Sequence, residues 1–175
     1  MCKFNDYIQM KIIVLLFLNL FLNNFLIGQS NVIGKYQAYF GKRITLNENN
    51  TFLYNWNFDV CSSWSYGKWF LKNDTIELQI INLYDTLVVE NKSNGVYKDS
   101  LVTALTFNPK RITSNEYIPV YLLSGGQNRQ PLPLKFLFRK NKLIEINENG
   151  KLLTKKVKGF GTNKKIKTWY IKSDK

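Results

Sequence analysis

The sequence predicts an all-β fold built as an antiparallel up-and-down barrel, with a two-sheet β-sandwich as the alternative architecture. Three observations carry that expectation. Beyond residue 33, apolar side chains alternate with polar ones at a period of two, which puts them on one face of a strand. Short runs rich in Asn, Asp and Gly separate these stretches at hairpin spacing. No long segment of the same region keeps a helical period.

The first thirty residues differ in kind. Ile12 to Leu22 is apolar except for Asn19, follows Lys11, and leads to the small-x-small site Gly28-Gln29-Ser30. A basic residue, a short apolar run and such a site together read as an export signal. A membrane-spanning helix takes roughly 20 apolar residues, and Asn19, Asn23 and Asn24 weaken that reading further. Met10 before Lys11 is a natural second start for the signal. Residues 1–30 are expected to be a cleaved signal peptide, and residues 31–175 a single all-β domain with a basic C-terminal part. The expected location is secreted or periplasmic. No cysteine follows the cleavage site, which argues against a lipoprotein. Cys2 leaves with the leader, so Cys61 alone cannot close an intrachain disulfide. The expectation for Cys61 is a small buried hydrophobe, with a reactive thiol or intermolecular bridge as the alternative.

The strands follow in order. Gly34 to Tyr39 opens the domain, and "RITLNENN" supplies a strand with an Asn-rich turn. In "TFLYNWNFD" the rings of Phe52, Tyr54, Trp56 and Phe58 share one face, while Asn55, Asn57 and Asp59 share the other. Trp64 to Leu71 and Thr75 to Ile81 flank Lys72-Asn73-Asp74 as a second hairpin, expected to be chiefly wall. Asp85 to Glu90, Leu101 to Phe107 and Glu116 to Leu123 are further strand expectations. Ser124 to Pro133 is expected to be irregular, since its Gly and Pro content excludes a central strand. Lys135 to Lys140, Leu143 to Asn147 and Lys151 to Thr154 read as a meander, with a last strand from Thr168 to Ile171.

The pieces "GKYQAYF", "LNENNTFLYNW" and "YGKWFLKNDTIEL" together resemble a lipocalin-like (calycin-type) exported β-barrel. In that family a Gly-x-Trp on the first strand closes one barrel end, and the interior can hold a small apolar ligand. Here Gly34-Lys35-Tyr36 has Tyr at the early position, and Gly67-Lys68-Trp69 carries the Trp on a later strand.

Chemistry is bounded by absence. The 175 residues contain no histidine, which removes Ser-His and Cys-His nucleophile systems and the commonest metal ligand. Asp59, Asp74, Glu77 and Asp85 form no spaced pair that catalysis is needed to explain. The "GFG" at Gly159 to Gly161 lacks the strand-to-helix context of a phosphate loop and reads as a turn. No catalytic residue, metal site or cofactor is expected.

Two candidate binding sites remain. Tyr54, Trp56, Phe58, Tyr66 and Trp69 are candidate interior residues for a small apolar ligand, unless the rings fill the interior completely. The chain carries +13 formally, but residues 135–175 hold a net +10 while residues 31–134 hold only +2. A/T-rich codons encode all the abundant residue types and account for part of that basicity, but not for its placement. Lys155, Lys156, Lys158, Lys164, Lys165 and Lys167 alternate with Phe160, Trp169 and Tyr170, a candidate surface for an anionic envelope or polymer. A solvated strand face accounts for the same lysines. Lysines act as point charges rather than phosphate forks, and export argues against intracellular nucleic acid as the partner. A third possible partner is another secreted protein, met through the same basic region.

Overall fold

The computed structural model describes residue 11 and residues 31–90, 97–123 and 125–173. The leader expectation therefore falls outside the described residues, apart from Lys11. Met1–Ile33 and Gly34–Lys175 cluster as separate units, and the strands all belong to the second. Among the described residues no helix is long and apolar enough to cross a membrane.

Eight strands close into a ring: β1 (Gly34–Gln37), β2 (Lys42–Leu46), β3 (Thr51–Phe58), β4 (Cys61–Lys72), β5 (Thr75–Ile80), β10 (Lys135–Arg139), β11 (Lys142–Glu145) and β14 (Tyr170–Lys172). Each pairs antiparallel with the next, and β14 returns to β1 through Tyr36 opposite Lys172. Barrel neighbours are thus successive barrel strands in the chain, an up-and-down barrel. Closure leaves no edge among these strands, and the sandwich alternative is excluded.

The alternation read from the sequence sets which side chains fill the ring. Phe52, Tyr54, Ile44, Leu46, Tyr36, Trp69, Ile76, Phe136, Leu143 and Tyr170 are buried. Gly67 on β4 lies opposite Phe52 on β3. A side chain there would come within 2.9 Å of the Phe52 ring and 2.0 Å of the Gln79 carbonyl oxygen, so the glycine of "YGKW" makes room for an aromatic neighbour.

The two ends are built differently. At one end the turns are tight. Asn73 and Asp74, like Lys140 and Asn141, both take positive φ, as two-residue hairpins of the twist-matching kind require. The 47–50 turn is held there by Trp69, whose Nε1–H donates to the Asn47 carbonyl at 3.0 Å. The long connections leave the other end. Between β5 and β10 the chain builds β6 (Tyr84–Glu90), β7 (Tyr97–Thr103), β8 (Arg111–Thr113), helix α1 (Ser114–Leu123) and β9 (Gly125–Gln127). Strands β6, β7 and β8 form their own three-stranded sheet, and β9 runs parallel to the start of β4. Between β11 and β14 lies the small ribbon β12 (Val157–Lys158) and β13 (Lys165–Ile166).

Several strand expectations change. The expected strand at Glu116 to Leu123 is helix α1. Glu116 reaches back over the start of that helix as in one half of a capping box: the Thr113 N–H and Oγ1–H donate to its Oε2 at 2.8 and 3.0 Å. The strand expected to run to Phe107 stops at Thr103, because buried Asp85 takes the N–H groups of Leu105 and Lys110, each at 2.8 Å, and folds that segment into a loop. Lys151 to Thr154 makes only an isolated bridge, Ile146 to Leu152. Gly125–Gln127, expected to be irregular, is an edge strand. Cys61 is exposed rather than buried, because the β3–β4 hairpin carries it at the barrel rim.

Candidate functional site

The open end collects polar groups that the sealed end lacks. Register places Lys42 with Ile44 and Leu46 on the inward face of β2, and Glu145 with Leu143 on the inward face of β11. These two strands are separated by β1 and β14 in the ring of eight. A cavity of about 860 Å³ is lined by both Lys42 and Glu145, so it spans the mouth. Its remaining wall comes from residues 130–135, with Leu132, Leu134 and Lys135, and from the Ile146–Gly150 turn. That turn repeats the 47–50 turn of the sealed end: Gly150 N–H donates to the Asn147 carbonyl at 2.9 Å, as Asn50 N–H does to Asn47 at 3.1 Å.

Behind Glu145 lie three buried hydroxyls. Tyr54 OH, Ser65 Oγ and Tyr170 OH are shielded from solvent; the two phenol hydroxyls have only each other as neighbours, and Ser65 Oγ has no hydrogen-bond partner. Burial pushes the Tyr54 phenol up to about 12; the Tyr170 hydroxyl beside it opposes that rise and the Glu145 charge adds to it. Burial raises Tyr170 as well, with Tyr54 and Glu145 contributing. Burial also raises the Glu145 carboxyl above its ordinary value, and the Lys42 ammonium pulls it part of the way back. The mouth therefore offers the carboxyls of Glu145 and Glu148 and the ammonium groups of Lys42 and Lys135 beside Leu132, Leu134 and Ile146, with the three hydroxyls buried behind them. That combination orients a small molecule by hydrogen bonds.

The sequence candidates divide among three places. Tyr54 is fully buried at the hydroxyl cluster, while Trp56 and Phe58 are half-buried towards the mouth, their rings stacked 6.4 Å apart. Trp69 is buried at the sealed end, away from the cavity, and packs rather than lines a site. Tyr66 is on the outer face of the wall, opposite Leu53, because an even position on β4 alternates with the buried Ser65, Gly67 and Trp69. It is removed from the interior set.

All six candidate lysines, Lys155, Lys156, Lys158, Lys164, Lys165 and Lys167, are exposed. They flank a ribbon whose tip, Phe160, meets Phe58 edge-on at 5.6 Å. Phe58 in turn touches Phe40, and Phe40 touches Tyr39. The aromatic and basic regions, distant in sequence, therefore meet at the barrel mouth. Lys142 and Lys167 each sit 5.9 Å from the Trp169 ring on the outer wall.

Three residues of the mouth, Lys42, Ser65 and Glu145, were not candidates from the sequence, and Tyr170 was named there only among the aromatics of the basic C-terminal tract. A usable signal existed for the charged pair, since each falls in step with buried apolar neighbours on its strand. Comparison of the chain with protein families, curated proteins and solved structures gives no match.

Proposed function

We propose that this is an exported, non-catalytic binding protein, a lipocalin-like cup that takes a small amphipathic molecule at its open end. The carrying observation is the cavity across the mouth, bounded by Lys42 and Glu145 and backed by the buried hydroxyls of Tyr54, Ser65 and Tyr170. Its volume suits one small ligand, since such sites run from about 300 to 1,000 Å³. The sealed half is filled with rings, so the ligand sits shallowly, with its polar group towards the hydroxyls and its apolar part along Leu132 and Leu134. The basic, apolar leader supports export.

Native mass spectrometry of the protein purified from its own host tests this reading. A co-purifying species of a few hundred daltons is expected, lost or exchanged when the mouth is altered by Glu145→Lys. Protein that carries nothing, and that shows no Trp fluorescence change with a panel of fatty acids, sterols and aromatic acids, overturns it.

A further inference from the structure

We propose that the ribbon at the barrel mouth docks the protein on an anionic lipid surface. Residues 151–173 contain eight lysines and no Asp or Glu. Lys158 and Lys165 are direct cross-strand partners, like charges on the same face of a two-stranded ribbon. Such a pairing destabilises a ribbon. Among the described residues none of the six ribbon lysines makes an ion pair, because the two salt bridges are Arg111 with Asp99 and Lys135 with Glu77. An external anionic surface relieves that repulsion.

Charge alone does not choose between a membrane and a soluble polymer; the tip does. Phe160 stands between Gly159 and Gly161 at the turn and is 73% exposed. Leu152, Leu153 and Val157 are exposed nearby in the chain. An exposed ring and exposed aliphatic side chains interspersed along the chain with lysines match the boundary between headgroups and acyl chains, where apolar side chains enter and ammonium groups stay with phosphates. A polysaccharide or nucleic acid would use the lysines and has no place for Leu152, Leu153 and Val157. Because Phe160 touches Phe58, docking by the tip turns the mouth towards the lipid. The proposal stands independently of what the cup holds.

Vesicle flotation of the protein as its host produces it is the test, comparing phosphatidylcholine vesicles with vesicles containing about a third phosphatidylglycerol. Binding is expected only to the anionic vesicles and should fall steeply as salt rises. Lys158→Gln with Lys165→Gln should weaken it about 25-fold, at roughly fivefold per lysine. Phe160→Ala should weaken it about tenfold, from the lost burial of one ring. Both variants alter exposed positions, and an unchanged urea midpoint verifies that each is folded. Equal binding to neutral vesicles, no binding to either kind, or a Phe160→Ala protein that binds as well as the original overturns the proposal. Salt-sensitive retention on heparin or DNA with no anionic-vesicle binding also overturns it and assigns the lysines to a soluble polyanion.

Discussion

Replacing Trp69 by phenylalanine tests the division of the barrel into a sealed end and an open one. Trp69 is 1% exposed, its Nε1–H donates to the Asn47 carbonyl at 3.0 Å, and its backbone N–H donates to the Asn50 carbonyl at 2.9 Å. The side chain thus ties the 47–50 turn to the middle of the wall. The substitution removes one hydrogen bond, worth about 1 kcal/mol. The Asn47 carbonyl keeps the Asn50 N–H at 3.1 Å, so no orphaned acceptor adds to that loss. A smaller ring leaves a gap in a packed layer and costs about 1–2 kcal/mol more. The sum is about 2–3 kcal/mol, which at a urea slope of about 1–3 kcal/mol per molar lowers the midpoint by about 0.7–3 M. Equilibrium urea unfolding, followed by the fluorescence of Trp56, Trp64 and Trp169, measures it. Trp56→Phe is the paired control: that ring is half-buried at the mouth, and its loss should cost under about 1 kcal/mol. If Trp56→Phe were the more damaging of the two, the assignment of the ends would be refuted.

Glu145→Gln should stabilise the protein at neutral pH. Burial raises the folded carboxyl above 4.5, so the folded state binds the extra proton, and stability falls as pH climbs from 4.5 through that raised value. Urea midpoints between pH 4 and pH 8 should show a falling slope that the variant flattens. Gly67→Ala should cost about 1–3 kcal/mol, since its Cβ would collide with the Gln79 carbonyl and the Phe52 ring; a melting temperature unchanged from the original would contradict this. Cys61 should react with a thiol reagent in the native protein nearly as fast as in urea, because it is exposed at the barrel rim; strong native-state protection would place it elsewhere.

The wall was legible because its information is local. Alternation from Phe52 to Phe58, glycine and asparagine at turns, and the apolar stretches of β10 and β11 specify faces and reversals one strand at a time. The inserted region was not legible for a physical reason as well. The apolar residues of α1 do not gather on one side of the helix, so neither helical period nor alternation marks them, and Pro119 lies inside it. What starts that helix is the Thr-x-x-Glu pair at Thr113 and Glu116, a polar signal without an apolar period behind it. Asp85 is likewise a single carboxylate that stops a strand through two backbone bonds, an effect no window average registers. The mouth was hidden more deeply. Phe58 and Phe160 are separated by a hundred residues and meet only because β14 closes on β1.

The placement of the buried hydroxyls bears on which end of the barrel works. Each buried polar group without a partner costs about 1–3 kcal/mol. The fold could avoid that cost cheaply, since phenylalanine at 54 or 170 would keep the packing and remove the hydroxyl. At the sealed end the comparable polar atom, Trp69 Nε1–H, is paired with a turn carbonyl. That cost falls on Ser65 and on the Tyr54–Tyr170 pair, whose two O–H donors have only each other, beside the half-buried Glu145 and below the cavity that reaches Lys42. A fourth such atom, Trp169 Nε1, lies on the outer wall, so buried unpaired groups are not confined to the mouth and substitution is what assigns the hydroxyls a role. Tyr54→Phe and Tyr170→Phe separate the possibilities: a gain in unfolding free energy with loss of the co-purifying molecule places these hydroxyls in the binding site. A loss of stability instead would make them structural, with partners that form only in the folded protein in water.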